Sequence, residues 1–422
     1  MKLTRDQLKQ ILLEQRDILF KKPLGIEREI LKEIEIKIKL PHVVVITGLR
    51  RSGKSTLMRQ IIAKFYNNKN FYYITFEDER LLNFPAIEFN NIYEVLIELF
   101  GEEKTFFIDE IQNIQGFEGF VRRFYEAGFK LYISGSNARL LSSEISTKLT
   151  GRHIDVLVKP FSFKEYLTLK KVEFDEQSLF RTTFKAKLKK LFEDYLLSGG
   201  MPEYIIFEDT EILAKVYEDI VIKDIAVRYK INNVIELREL YQYLISNFAK
   251  KFSYNALRKF TRISSANTIK KYINYLVESY MAIVINKFDY SIKKQIINEK
   301  KFYIIDNGFI RRISVKSTID KGWLLENLVA IHLIGKNIVF YYTGKHECDF
   351  ITMKENKVNV AIQVVYEITE ENREREIRGL IQAMKELKIN QGFILTNDQE
   401  EDIDIQGEKI LIRPVWKWLL QS

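Results

Sequence analysis

Gly48-Leu49-Arg50-Arg51-Ser52-Gly53-Lys54-Ser55 sets two glycines, a lysine and a hydroxyl at the spacing GxxxxGK[ST]. That spacing is built for phosphate. Backbone N–H groups of a glycine-bearing loop at a helix start gather oxyanions. Lys54 adds a positive charge for the outer phosphates, and Ser55 offers an oxygen to Mg²⁺. Gly48, Arg51, Ser52, Gly53, Lys54, Ser55 and Thr56 are the candidate contacts to a nucleoside triphosphate. Arg50 and Arg51 leave two readings open, as phosphate contacts or as solvated loop residues.

Three further sites bear on the same chemistry. Asp109-Glu110 closes the apolar run Thr105-Phe106-Phe107-Ile108, where Asp109 would direct magnesium and Glu110 would polarise an attacking water as general base. The alternative is an acidic pair that caps a helix starting near Ile111. Ser136 and Asn137 follow the run Lys130–Ser134 and suit a γ-phosphate sensor or a plain turn. Arg152, on the turn Gly151-Arg152-His153, could stabilise transition-state charge within the chain or on a neighbour's nucleotide, or pair with a surface acid.

The elements that must hold these residues can be read from periodicity. Val43-Val44-Val45-Ile46 is a buried strand feeding the loop, and Leu57, Ile61 and Phe65 mark the helix that follows it. Phe71–Phe76, Thr105–Ile108, Lys130–Ser134 and Ile154–Val158 are further strands, separated by helical stretches. This alternation predicts a parallel sheet with helices on both faces and the ligand beyond the carboxyl ends of its strands. Thr4 with Gln7 predicts a capping box on a first helix, and Arg28–Ile36 a second.

With 422 residues, 46% hydrophobic and 29% charged, the chain suits two or three ordered domains. Its start is polar and no apolar run reaches the ~20 residues that span a bilayer, so a cytoplasmic protein without a membrane partner is expected. One cysteine, Cys348, excludes an internal disulfide and a multi-thiolate zinc site. The net charge of +9 is unevenly spread: residues 223–312 hold 18 Lys and Arg against 7 Asp and Glu, a net of +11, whereas residues 313–422 are net −3.

That basic segment has a pattern of its own. Ser253 starts a short helix, Thr261–Ser264 turns, and Ile269, Tyr272, Ile273, Leu276 and Val277 give the next helix one apolar face. Met281–Ile285 and Phe302–Ile305 flank the basic pair Lys293-Lys294. Helix, turn, helix and a two-stranded wing make a winged helix, and Lys270, Lys271, Asn274, Lys293 and Lys294 are its candidate DNA contacts. A dimerisation or lid module with a solvated lysine face is the other reading. Tyr166–Tyr229, broken at Ser198-Gly199-Gly200-Met201-Pro202, reads as a helical subdomain.

Taken in order, GLRRSGKST, FFIDEIQ, YISGSNA and TGR…VKPFSFKEYL resemble a family of archaeal and bacterial AAA-type ATPases with a C-terminal domain of unknown function. The resemblance covers nearly the whole chain. It implies ATP as the nucleotide, an additional-strand P-loop sheet, a helical subdomain and a winged helix. The expected division is 1–165 for N-terminal helices and ATPase core, 166–235 helical, 236–312 winged helix and 313–422 a small α/β domain.

The last domain has a spacing that resembles the restriction-nuclease-like core, in which a helix glutamate, a strand aspartate and an ExK triplet bind metal. Glu326 and Asp349 match, but Gln363 and Val365 stand where the triplet needs glutamate and lysine. Valine can neither hold nor deprotonate a water. Unless Glu367 or a nearby lysine moves in, no nuclease is expected. The combined expectation is a Mg²⁺-dependent ATPase whose nucleotide state is coupled to DNA through residues 236–312, with a homo-oligomer or protein partner as further possibilities. A protein-binding switch without DNA is the competing class, and an ATP-gated nuclease a third.

Overall fold

A computed structural model describes residues 3–67, 69–81, 84–136, 151–175, 177–316, 318–355, 357–405 and 407–421. The chain divides into two compact units: Met1–Lys159 with Glu278–Tyr280, and Pro160–Val277 with Met281–Ser422.

In the first unit, helices α1 (Arg5–Lys21), α2 (Leu31–Ile38), α3 (Lys54–Phe65), α4 (Phe89–Phe100) and α5 (Phe117–Glu126) accompany strands β1 (Val43–Gly48), β2 (Tyr72–Thr75), β3 (Thr105–Asp109), β4 (Lys130–Gly135) and β5 (His153–Val158). The sheet is wholly parallel, in the order β2-β3-β4-β1-β5. β4 is thus the strand inserted between the loop strand β1 and the acidic strand β3. Alternation along β1 divides the core: Val43 and Val45 pack with Leu8, Ile11, Ile92 and Phe120 on one face, Val44 and Ile46 with Leu31, Ile34, Leu57 and Ile61 on the other. The Thr4–Gln7 capping box is formed. The second helix starts at Leu31 rather than at Arg28, whose side chain is buried.

The second unit begins with helices Phe163–Leu169, Thr182–Ser198, Pro202–Phe207 and Glu211–Asp219, the last continuing into a π-helical turn Ile220–Val227. Its strands are β6 (Lys251–Phe252), β7 (Ala282–Lys287), β8 (Lys300–Ile304), β9 (Ile338–Thr343), β10 (Glu347–Lys354), β11 (Lys357–Val364), β12 (Gln391–Thr396), β13 (Glu401–Ile405) and β14 (Glu408–Pro414). They form one sheet in the order β13-β14-β12-β11-β10-β9-β7-β8-β6. The boundary expected at 312–313 therefore runs through a single sheet, since β7 pairs in parallel with β9 at Asn286–Phe340 and Lys287–Tyr341. The two strands expected of the wing, β7 and β8, pair antiparallel, but the basic pair between them is helical. Lys293 and Lys294 lie on a short helix, Ile292–Ile297, whose final carbonyls are capped by the Lys300 ammonium at 3.0–3.3 Å.

The Gly199-Gly200 turn is fixed by a buried acid. Asp306 accepts hydrogen bonds from the Gly200 N–H at 2.6 Å and the Gly308 N–H at 2.9 Å, and burial pushes its carboxyl up to about 7. Phe161 N–H donates to the Gly200 carbonyl at 2.7 Å, and Tyr195 O–H to the Phe161 carbonyl at 2.8 Å.

Candidate functional site

Strand β1 delivers the loop at its carboxyl end, and the loop's glycines meet specific backbone demands. At Gly48 (φ 147°), a Cβ would lie 2.1 Å from the Val158 carbonyl oxygen at the end of β5. Arg51 (φ 62°) and Gly53 (φ 101°) adopt the left-handed conformation that closes the loop onto α3. Gly53 costs nothing there, while Arg51 carries a modest strain. Among the described residues the buried Ser52 hydroxyl meets no hydrogen-bond partner, as a donor reserved for an incoming oxyanion would not. Thr56 is engaged otherwise: its hydroxyl accepts from the Arg59 guanidinium at 2.9 Å.

Lys54 heads α3 and is 4% exposed. Its ammonium donates to the Gly48 and Leu49 carbonyls at 3.3 and 3.1 Å and lies 3.9 Å from a Glu110 carboxylate oxygen. Asp109, also buried, accepts from the hydroxyls of Ser134 and Ser55. Burial raises its carboxyl above the ordinary range, and the Glu110 charge adds to this. An oxygen-only pair of Ser55 and Asp109, with the acid short of counter-charge, fits Mg²⁺ held mainly by phosphates and water. Among the described residues no group of three or more His, Cys, Asp or Glu is arranged to hold a metal by itself.

Glu110 does not cap an α-helix. It takes a left-handed φ of 53°, makes no side-chain cap bond, and is followed only by the 3₁₀ turn Ile111–Asn113. Instead its N–H donates to the Ser134 hydroxyl at 3.1 Å, and its carboxylate accepts from the Gln112 amide and, at 3.1 Å, from the Ser136 hydroxyl. Ser136 is thereby brought to the acid, whereas Asn137 lies outside the described residues. Ser134 was not singled out from the sequence. Its signal is a hydroxyl at the last turn of an apolar strand, and only the strand order reveals that β4 adjoins β3.

Arg152 requires a correction. Its carbonyl accepts from Val43 N–H at 3.0 Å, which sets it at the amino end of β5 and β1, opposite the phosphate loop. Six residues of strand, ~20 Å, separate those ends. It therefore cannot serve a nucleotide held by its own chain, and its guanidinium pairs with Glu126 at 3.4 Å. Asp78, beyond the end of β2, is a structural tie: Arg80 holds it at 2.8 and 2.9 Å, Gln15 assists, and its carboxyl is drawn down to about 2.

A residue the sequence left unmarked supports the loop from behind. Arg28 is 4% exposed, and its guanidinium donates to the Ser52 carbonyl at 2.9 Å and the Lys159 carbonyl at 2.7 Å. The loop and the chain leaving β5 are thus held by one planar fork.

Residues 41–167 match the family described as AAA domain, and residues 189–319 one described as a domain of unknown function, DUF8612. An uncharacterized protein of Methanocaldococcus jannaschii is 36% identical over 409 residues, spanning 92% of this chain and 90% of its own. The chain belongs to that protein's family. Another relative of the family, an uncharacterized protein of Haemophilus influenzae, is 29% identical over 90% of this chain and 94% of its own. The phosphate loop, β3 and β4 all fall inside the match to the AAA domain. Remote likenesses include AMPPCP-bound DnaA from Aquifex aeolicus (14% identity, TM-score 0.27, 62% of this chain and 91% of that one). Another is Cdc6p from Pyrobaculum aerophilum (11%, TM-score 0.26, 74% and 98%). No helix among the described residues is long and apolar enough to cross a membrane.

Proposed function

We propose that this AAA-family protein binds and hydrolyses ATP with Mg²⁺ and that its nucleotide state is coupled to DNA engagement through the basic segment. The observation that carries the first part is the 3.9 Å approach of Lys54 to Glu110, with Asp109 alongside. A phosphate-neutralising cation, a general base and a magnesium-directing acid then meet beyond the carboxyl ends of β1 and β3. Magnesium would supply charge neutralisation on the phosphates, and Ser55 and Asp109 would hold it. Gly48, Arg51, Ser52 and Gly53 would cradle the phosphates, with Thr56 offering its backbone N–H alone, Glu110 would orient and deprotonate water, and Ser136 would report the γ-phosphate through its bond to Glu110. Arg152 could act only on a neighbouring copy's nucleotide.

DNA engagement is supported by the helix Ala266–Glu278, which buries Ile269, Ile273 and Leu276 and exposes Lys270, Lys271 and Asn274. It follows the helices Val234–Ser246 and Tyr254–Arg258 and precedes β7 and β8, and β8 lies between β7 and β6. That order of elements suits a winged helix. Lysines far outnumber base-reading groups, so phosphate contact dominates this reading. The test is steady-state ATP hydrolysis with Mg²⁺, with and without single- and double-stranded DNA. DNA should stimulate turnover, and the stimulation should fade between 50 and 200 mM salt, roughly as counterion release requires. Hydrolysis indifferent to DNA would leave the protein-binding switch. One observation favours that second reading: Tyr290, Ile292, Ile296 and Ile297 are all more than half exposed beside Lys293 and Lys294.

Arg28 acts in this reading as a positioning residue for the loop. Arg28→Ala removes the donor to the Ser52 and Lys159 carbonyls, and the expected loss is about tenfold in ATP affinity, near 1.4 kcal/mol. A fluorescent-nucleotide titration measures it, and Arg28→Lys, able to reach one carbonyl, should recover part. Unchanged affinity in Arg28→Ala would remove Arg28 from the site.

A further inference from the structure

Glu326 and Asp349, the two acids that match the restriction-nuclease-like spacing, meet an ammonium in the second unit's sheet. Lys301, on β8, is 3% exposed. Its Nζ lies 2.9 Å from a Glu326 oxygen, 2.9 Å from Asp349 Oδ1 and 2.8 Å from Glu347 Oε1. An ammonium has three N–H donors, and each of them here meets a different carboxylate.

The carboxylates are occupied from other sides as well. Asp349 Oδ2 accepts from the Val364 N–H at 2.9 Å, Tyr303 O–H donates to Glu326 Oε1 at 2.6 Å, and the Lys251 ammonium pairs with Glu347 Oε2 at 2.5 Å. Gln363, at the position of the missing triplet glutamate, turns its amide to other work: its oxygen accepts from the Asp349 N–H at 3.3 Å and its nitrogen donates to Glu376 at 2.7 Å. A divalent ion bridging the oxygens of Glu326, Glu347 and Asp349 would have to stand where Nζ stands.

We infer that Lys301 is the resident cation of this cluster, replacing the divalent metal of a restriction-nuclease-like site and closing it to metal-dependent cleavage. The lysine that the sequence lacks at position 365 has a counterpart in space, but that counterpart sits in the metal's place rather than beside it. Glu326 and Asp349, both buried, and the partly exposed Glu347 would repel one another without a cation, so the tethered ammonium does what a metal does by binding. The inference is independent of whether the first unit hydrolyses ATP.

The experiment titrates the full chain with MnCl₂ alone, by calorimetry and by thermal unfolding. Uptake by the nucleotide site is common to all variants and cancels between them. Wild type and Glu347→Gln, a substitution at a partly exposed position, should take up Mn²⁺ equally and show no difference in metal-dependent melting. Lys301→Ala should melt lower without metal, gain one further equivalent of Mn²⁺ and regain stability with it, and Lys301→Ala/Asp349→Asn should lose that gain. Mn²⁺ uptake by wild type that exceeds Glu347→Gln would overturn the inference, as would a folded Lys301→Ala that gains no Mn²⁺. The comparison of wild type with Glu347→Gln decides the matter even if Lys301→Ala does not fold.

Discussion

Glu110→Gln should reduce steady-state ATP hydrolysis by about 10²- to 10³-fold while leaving ATP affinity within roughly threefold of wild type. The substitution keeps the side chain's size and its ability to accept from Ser136 and Gln112, the bonds that orient it. It removes the basicity and the negative charge 3.9 Å from Lys54. Losing a base that acts only as water attacks lowers kcat, whereas losing a ground-state contact would raise KM. Turnover and a separate binding titration read the two effects independently. Lys54→Ala supplies the contrast, because removing the phosphate-neutralising charge should impair binding itself. If Glu110→Gln retained more than about a tenth of wild-type turnover, the general-base assignment would fail.

Gly200→Ala should destabilise the second unit by about 3 kcal/mol or more, lowering its melting temperature by roughly 6–12 °C. The added Cβ would lie 2.1 Å from the Phe161 carbonyl oxygen and 3.0 Å from the Phe161 backbone nitrogen. Those are main-chain atoms locked by the 2.7 Å bond between Phe161 and Gly200 and by the Tyr195 hydroxyl, so nothing flexible can yield. Any shift that relieved the clash would also lengthen the 2.6 Å bond from the Gly200 N–H to Asp306 and leave a buried carboxyl poorly satisfied. Calorimetry of the purified variant measures the loss. A melting curve within about 2 °C of wild type would mean that the turn relaxes more easily than its contacts imply.

Some residues were open to sequence reasoning because their signals are local. The phosphate loop needs a glycine pattern between an apolar strand and a helix, and all of that lies within twenty-odd consecutive residues. The same holds for the Thr4–Gln7 capping box, for the strand that ends in Asp109 and for the strand that Ser136 follows, whose types follow from periodicity and β-propensity. Arg152 misled for the converse reason. A glycine turn marks an exposed loop but not which end of the sheet it occupies, and strand direction places that loop at the amino edge.

The sequence by itself determined that this chain carries a phosphate loop in an α/β domain, an acidic strand end for it, and a basic excess confined to one segment. Only the tertiary structure decided which distant residues serve those features. Arg28 reaches the loop across 24 residues of chain to Ser52, and Lys301 meets Glu326 and Asp349 across 25 and 48. A buried charge pairs through space, and its partner is chosen by which strands the fold sets side by side. Periodicity assigns a side chain to a face of its own element but says nothing about the element opposite. Lys301, which meets the carboxylates of Glu326, Glu347 and Asp349, therefore looks, along the chain, like any other member of a lysine-rich stretch.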